Sequence, residues 1–196
     1  TDKETILQRI HFTDDMQTCL ADVFIEAIVE KTEIKIALFN QLAELNHSEC
    51  IFASNTSSLS ITKIAEQVQR PERVIGMHFF NPVHRMPLIE IIKGEYTSEE
   101  TVATTVEFSK RLGKVPIIVN DTRGFLVNRI LLPYINEAAI MLEEGISVEA
   151  IDRAAEVFGM PMGPLTLIDE IGIDIGYKVA KILEEAFGER MRVSQI

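Results

Sequence analysis

The 196-residue sequence carries 19 Lys and Arg against 30 Asp and Glu, a net charge of −11, which argues against nucleic acid as a partner. Counterion release from a phosphate backbone needs clustered basic groups. Hydrophobic residues at 46% and charged residues at 25% describe an ordinary globular chain. No apolar run approaches the roughly 18 residues a membrane span requires.

The opening, TDKETILQRIHFTDD, is polar and helical in pattern and lacks the basic-then-apolar order of a signal peptide. Cys19 and Cys50 stand apart without metal-ligand spacing and read as reduced thiols in a reducing compartment. TILQRI predicts the tail of a helix, and DVFIEAI a buried strand. EKTEIKIALFNQLAEL follows, with Ile34, Leu38, Leu42 and Leu45 at helical spacing, as in a helix lying on a sheet. CIFASNTSS is a short strand, and the next helix starts at Ser58 or is capped at Ser60. RVIGMHFF and MPLIEII are strands separated by an Asn-Pro turn. SEETVATTVEFSKRLG is a helix capped by Ser98 and ended by Gly113, and VPIIV is a final strand.

This rhythm predicts an α/β fold with a largely parallel sheet over residues 1–119. From NDTRG at 120–124 onward the pattern turns all-α, through FLVNRILLPYINEAAIMLEEG, VEAIDRAAEVFG and IDIGYKVAKILEEAFG. An open sheet that binds a dinucleotide starts with strand–GxGxxG–helix, and no such stretch occurs in these residues. The sequence therefore reads as a fragment, an incomplete doubly wound, Rossmann-like sheet lacking its first strand–helix–strand, followed by an all-α domain at 120–196. A complete, smaller α/β domain is the alternative.

His78 falls at the carboxyl end of a strand, where open α/β sheets present ligand-binding residues, and imidazole takes protons near neutral pH. Glu90 stands inside the aliphatic run PLIEII, where a carboxylate is costly without a partner. A His78–Glu90 pair explains both, the carboxylate orienting the base. A satisfied core histidine and a surface-paired glutamate is the plainer alternative. Asn55, Thr56, Ser57 and Ser58 follow another strand and serve either as ligand contacts or as helix caps. Asn128 is a polar residue in an apolar helix. Two small basic stretches, HRM at 84–86 and SKRLGK at 109–114, are the candidates for meeting a polyanion.

FIEAIVE with Lys35, IFASNTSSLSI, GMHFFNPVHRMPLIEII, GKVPIIVND with RGFLVNRIL, and GMPMGPLTLIDEIGIDIG together resemble the 3-hydroxyacyl-CoA dehydrogenase family over nearly the whole chain. The wording of NPVHRMPLIEIIKGE is nearer the dehydrogenase part of multifunctional fatty-acid oxidation proteins. The resemblance implies NAD-dependent oxidation of an L-3-hydroxyacyl-CoA to the 3-ketoacyl-CoA. It makes His78 the base and Glu90 its holder, with Ser57 and Asn128 on the substrate oxygen. It places Glu30, Lys35, Asn55 and Asn81 on the cofactor side and involves no metal. It implies an acyl-CoA substrate and a helical tail that forms a homodimer or joins a larger fatty-acid oxidation complex. The compartment it implies is bacterial cytoplasm, or a mitochondrial or peroxisomal matrix. Without the glycine-rich turn, the isolated chain is expected to bind NAD poorly. A non-catalytic, crystallin-like relative and a hydroxy-acid dehydrogenase on the same two-domain plan are the rival readings.

Overall fold

The computed structural model describes residues 3–194. A short helix α1 (Lys3–Leu7) precedes a five-stranded sheet of β1 (Val23–Glu26), β2 (Ile51–Ser54), β3 (Val74–Phe79), β4 (Leu88–Lys93) and β5 (Val115–Asn120). The strands lie in sequence order. β1, β2 and β3 are parallel, β4 runs antiparallel to β3, and β5 is parallel to β4. Helices α2 (Thr32–Leu45), α3 (Ile61–Ala65) and α4 (Glu99–Arg111) make the crossovers between parallel neighbours. The chain then stays helical through α5 (Val127–Glu143), α6 (Val148–Phe158), α7 (Pro164–Ile171) and α8 (Ile173–Phe187).

Strand alternation decides which side chains meet. Ile75, Met77, Ile89 and Ile91 pack with Val102 of α4 on one face. Val74 and Ile92 pack with Phe39, Leu42, Ile61 and Phe125 on the other. His78 and Glu90 share parity with Val74 and Ile92, so the period of two puts them on this second face. Gly76 lies on it too, opposite Ile92. A Cβ there would come within 2.7 Å of the Ile92 Cβ, so only glycine fits.

Four expectations need correction. β1 pairs on one side only among the described residues, and with Val23 and Phe24 half-buried, Ile25 exposed and only Glu26 buried it is not a core strand. The buried stripe of α2 is Lys35, Phe39, Leu42 and Ala43, while Ile34 is exposed. The helix is rotated because Lys35, polar by type, is pulled inward by a buried ion pair with Glu26. α3 starts after Ser60, whose hydroxyl accepts the Lys63 N–H, so Ser58 is not its cap. α7 was not expected as a separate helix. Its start is built by Gly163 and Pro164, and Asp152 of α6 accepts the N–H groups of Leu165 (2.9 Å) and Thr166 (3.0 Å).

Candidate active site

The register of the β3–β4 pair sets His78 directly opposite Glu90. The imidazole Nδ1 lies 2.7 Å from Glu90 Oε2, and the carboxylate is fully buried. Its other oxygen, Oε1, accepts the N–H groups of Leu126 and Val127, both at 2.9 Å. These are the first donors of α5, a helix with no side-chain cap of its own. Glu90 fills that role from the sheet, with its charge at the positive end of the helix dipole. One carboxylate thus joins the strands to the helical half and orients the imidazole.

Because an ionised carboxylate only accepts, Nδ1 carries the proton, which in a neutral ring leaves the lone pair on Nε2. The ring of Phe80 lies 4.6 Å from that of His78 and the ring of Phe125 5.8 Å, and the His78 side chain is 9% exposed.

Asn128 stands one residue beyond Val127, and its Nδ2 donates to the backbone oxygen of Ser57 at 3.3 Å. Asn55 Oδ1 accepts the N–H of Phe79, which follows His78 in the chain. His78, Glu90, Ser57, Asn128 and Asn55 therefore form one connected group drawn from β3, β4, α5 and the segment that follows β2.

A second polar cluster lies at the ends of β1 and β2. Lys35 Nζ is 2.8 Å from both oxygens of Glu26 and 3.2 Å from Glu30 Oε2. Ser54 donates its hydroxyl to Glu26, Ile28 donates its N–H, and Thr56 donates its hydroxyl to Glu30. Lys35 is buried and its ammonium is taken up by the two carboxylates, whereas the Glu30 side chain is 41% exposed. Glu30, Asn55 and Ser57 line one wall of a cleft of about 630 Å³, faced by Ile175, Val179 and Ile182 of α8. Neither Lys35 nor His78 lines it. Asn81 stands apart, exposed at the head of the cis Asn81–Pro82 bond, and among the described residues no hydrogen bond joins its side chain to either cluster. The two basic stretches do meet, since Lys114 Nζ donates to the carbonyls of Val83 and Met86.

Three participants escaped the sequence reading. The Leu126 and Val127 N–H groups carry no side-chain signal. Glu26 does, because it is a carboxylate in the aliphatic run DVFIEAI with a lysine nine residues on, the same oddity that exposed Glu90.

Residues 1–122 match the description "3-hydroxyacyl-CoA dehydrogenase, NAD binding domain", and residues 124–196 match "3-hydroxyacyl-CoA dehydrogenase, C-terminal domain". The chain belongs to the 3-hydroxyacyl-CoA dehydrogenase family. Within that family it is 50% identical over 171 residues to the fatty acid oxidation complex subunit alpha of Psychrobacter arcticus, covering 87% of this chain. The chain spans only 24% of the length of that relative. The solved (S)-3-hydroxybutyryl-CoA dehydrogenase of Ralstonia eutropha superposes with a TM-score of 0.93 at 42% identity, over 97% of this chain and 69% of that one. The 3-hydroxybutyryl-CoA dehydrogenase of Escherichia coli gives a TM-score of 0.92 at 43% identity, over 98% of this chain and 42% of that one. The family thus accounts for the α/β sheet followed by a helical half. Among the described residues, no helix is long and apolar enough to cross a membrane.

Proposed function

We propose that this chain carries the catalytic half of an NAD-dependent dehydrogenase that oxidises L-3-hydroxyacyl-CoA to 3-ketoacyl-CoA in fatty-acid oxidation. The observation that carries the reading is the buried Glu90 carboxylate holding the His78 imidazole with Nε2 free. Oxidation of a secondary alcohol needs a base on the hydroxyl and an acceptor for hydride. His78 Nε2 takes the hydroxyl proton. Glu90 stabilises the imidazolium that results, without itself taking the proton. Ser57 and Asn128 offer donors to the substrate oxygen from the wall of the cleft and from the first turn of α5.

NAD supplies the hydride acceptor when bound, and the chain fits it at one end only. The partly exposed Glu30 carboxylate, Asn55 and Ser57 form a polar wall at the strand ends, suited to the nicotinamide and its ribose. Lys35 supports that wall from beneath. Asn81 lies on the loop after β3 and contributes from there. No GxGxxG stretch exists in the 196 residues to receive the diphosphate. Accordingly, residues 1–119 form a partial cofactor-binding domain and 120–196 a domain for substrate contact and dimerisation.

The relatives named as subunits of a fatty acid oxidation complex support an assembly for this protein too, either a homodimer or that larger complex. Ile130 of α5 at 66% exposure and Phe158 at 88% give the helical half apolar surface for such contacts. The test is NADH oxidation by the intact protein with acetoacetyl-CoA and with the free keto acid. Turnover of the thioester, abolished by His78→Ala, supports the reading. Equal turnover of both substrates, or activity surviving His78→Ala, refutes it.

A further inference from the structure

The Glu26–Lys35 pair is unexplained by the chemistry above. It is almost completely enclosed, with side-chain exposures of 2% and 1%. A buried ion pair is a weak source of stability, because desolvation of both charges offsets their attraction. An apolar pair would hold β1 to α2 at least as well. The third member explains the arrangement. Lys35 also touches Glu30, the one carboxylate of the three-residue cluster that reaches the cleft.

The charges decide what Glu30 presents. Were Lys35 paired with Glu30 alone, the two would cancel and the cleft wall would be neutral. With Glu26 added, two carboxylates surround one ammonium and the cluster keeps a net charge of −1. Lys35 sits closer to Glu26, at 2.8 Å to both of its oxygens against 3.2 Å to Glu30. The uncompensated charge therefore falls toward the exposed partner. The hydroxyls of Thr56 and Ser58 fix that carboxylate in place.

We propose that Glu26 is a positioning residue that neutralises Lys35, so that Glu30 keeps its negative charge toward the cofactor and favours the oxidised, cationic nicotinamide over the reduced, neutral one. This rests on the reading that Glu30 faces the nicotinamide. Glu26 touches neither substrate nor cofactor and acts only through Lys35. The bias favours capture of the oxidised cofactor and release of the reduced one, at the expense of the hydride-transfer equilibrium on the enzyme.

The experiment measures the dissociation constants of NAD+ and NADH, by calorimetric and fluorescence titration of the intact protein. Glu26→Gln keeps the size of the side chain and removes its charge. A unit charge acting across several ångströms of mixed protein and water is worth roughly a fivefold change in affinity for a charged ligand. The ratio of the NAD+ to the NADH constant is expected to rise by about that factor in Glu26→Gln. The double variant Glu26→Gln/Lys35→Met leaves Glu30 as the sole charge, and the ratio returns to near the wild-type value. Loss of a purely structural contact would weaken both cofactors together and would not be rescued by a second buried substitution. A ratio unchanged in Glu26→Gln, or one not restored in the double variant, overturns the inference and leaves the dehydrogenase reading standing. A wild-type protein that binds neither cofactor overturns both.

Discussion

Glu90→Gln tests the site with a change of one atom. The amide can face two ways, and both are poor. With its oxygen toward Leu126 and Val127, the two N–H bonds at 2.9 Å are kept and the amide NH2 faces His78 Nδ1. Nδ1 must then accept, so the proton moves to Nε2 and the base is blocked. The same carboxylate-to-amide exchange in hydrolase triads lowers turnover about 10⁴-fold, through the wrong tautomer. With the amide reversed, the imidazole keeps its tautomer but NH2 confronts two buried N–H donors. Each donor left unsatisfied costs ~1–3 kcal/mol. The first arrangement is thus the cheaper, and it is the inactive one. The account predicts a loss in kcat of ~10³ to 10⁴ with KM for the acyl-CoA little changed. The assay is the initial rate of NADH oxidation with acetoacetyl-CoA, alongside a thermal melt to show that the variant is folded. A folded Glu90→Gln protein that keeps activity within about threefold of wild type would refute the assignment of His78 as an oriented base.

Gly163→Ala should destabilise the helical half, because the new Cβ would come within 2.1 Å of the Asp152 carboxyl carbon and displace the carboxylate that caps α7. A lost cap costs ~1–2 kcal/mol, seen as a lower Tm. Burial opposes the charged form of Asp152, yet the Thr166 hydroxyl and the Leu165 and Thr166 N–H groups outweigh it and hold the carboxyl below its usual range. Its contribution is therefore present above the ordinary carboxylate pKa and lost as pH falls through the lowered one. Asp152→Asn should flatten that acid limb of the stability curve. Burial pushes the Cys50 thiol up to about 11, against the opposing pull of Arg70. The folded state then holds the proton more tightly, so this contribution is intact below pH 9 and lost as pH rises toward 11. Iodoacetamide should accordingly label Cys19 in the native protein and reach Cys50 only after denaturation, as read by mass spectrometry. The 196-residue chain by itself should bind NAD more weakly than micromolar, and a micromolar constant by calorimetry would contradict the role given to the glycine-rich turn.

How much of this was legible in the sequence follows from where each signal resides. The His78–Glu90 pair could be read because a carboxylate in an aliphatic run demands a partner and a histidine stood at the end of the neighbouring strand, while the register that puts both on one face was not legible. The strand–helix rhythm read well wherever a hydroxyl cap and a glycine stop bracketed the helix, as Ser98 and Gly113 do for α4. The α2 stripe was drawn on the apolar positions Ile34, Leu38, Leu42 and Leu45, which leaves out Lys35, polar by type yet buried. Its partner Glu26 lies nine residues away on a strand, outside any helical period. The eight-residue α7 was too short to show a period, and Asp152, which makes its cap, lies more than a turn upstream on another helix. The grip of α5 on Glu90 spans 36 residues and uses backbone groups, which no sequence pattern reports.

The most direct single measurement is the nitrogen NMR spectrum of His78 in ¹⁵N-histidine-labelled protein at neutral pH, assigned by the signal missing from His78→Ala. A proton on Nδ1 and an unprotonated Nε2 is the result the account predicts. A neutral ring protonated on Nε2 would leave no lone pair aimed at a substrate hydroxyl, and the chemistry assigned to this site would be wrong.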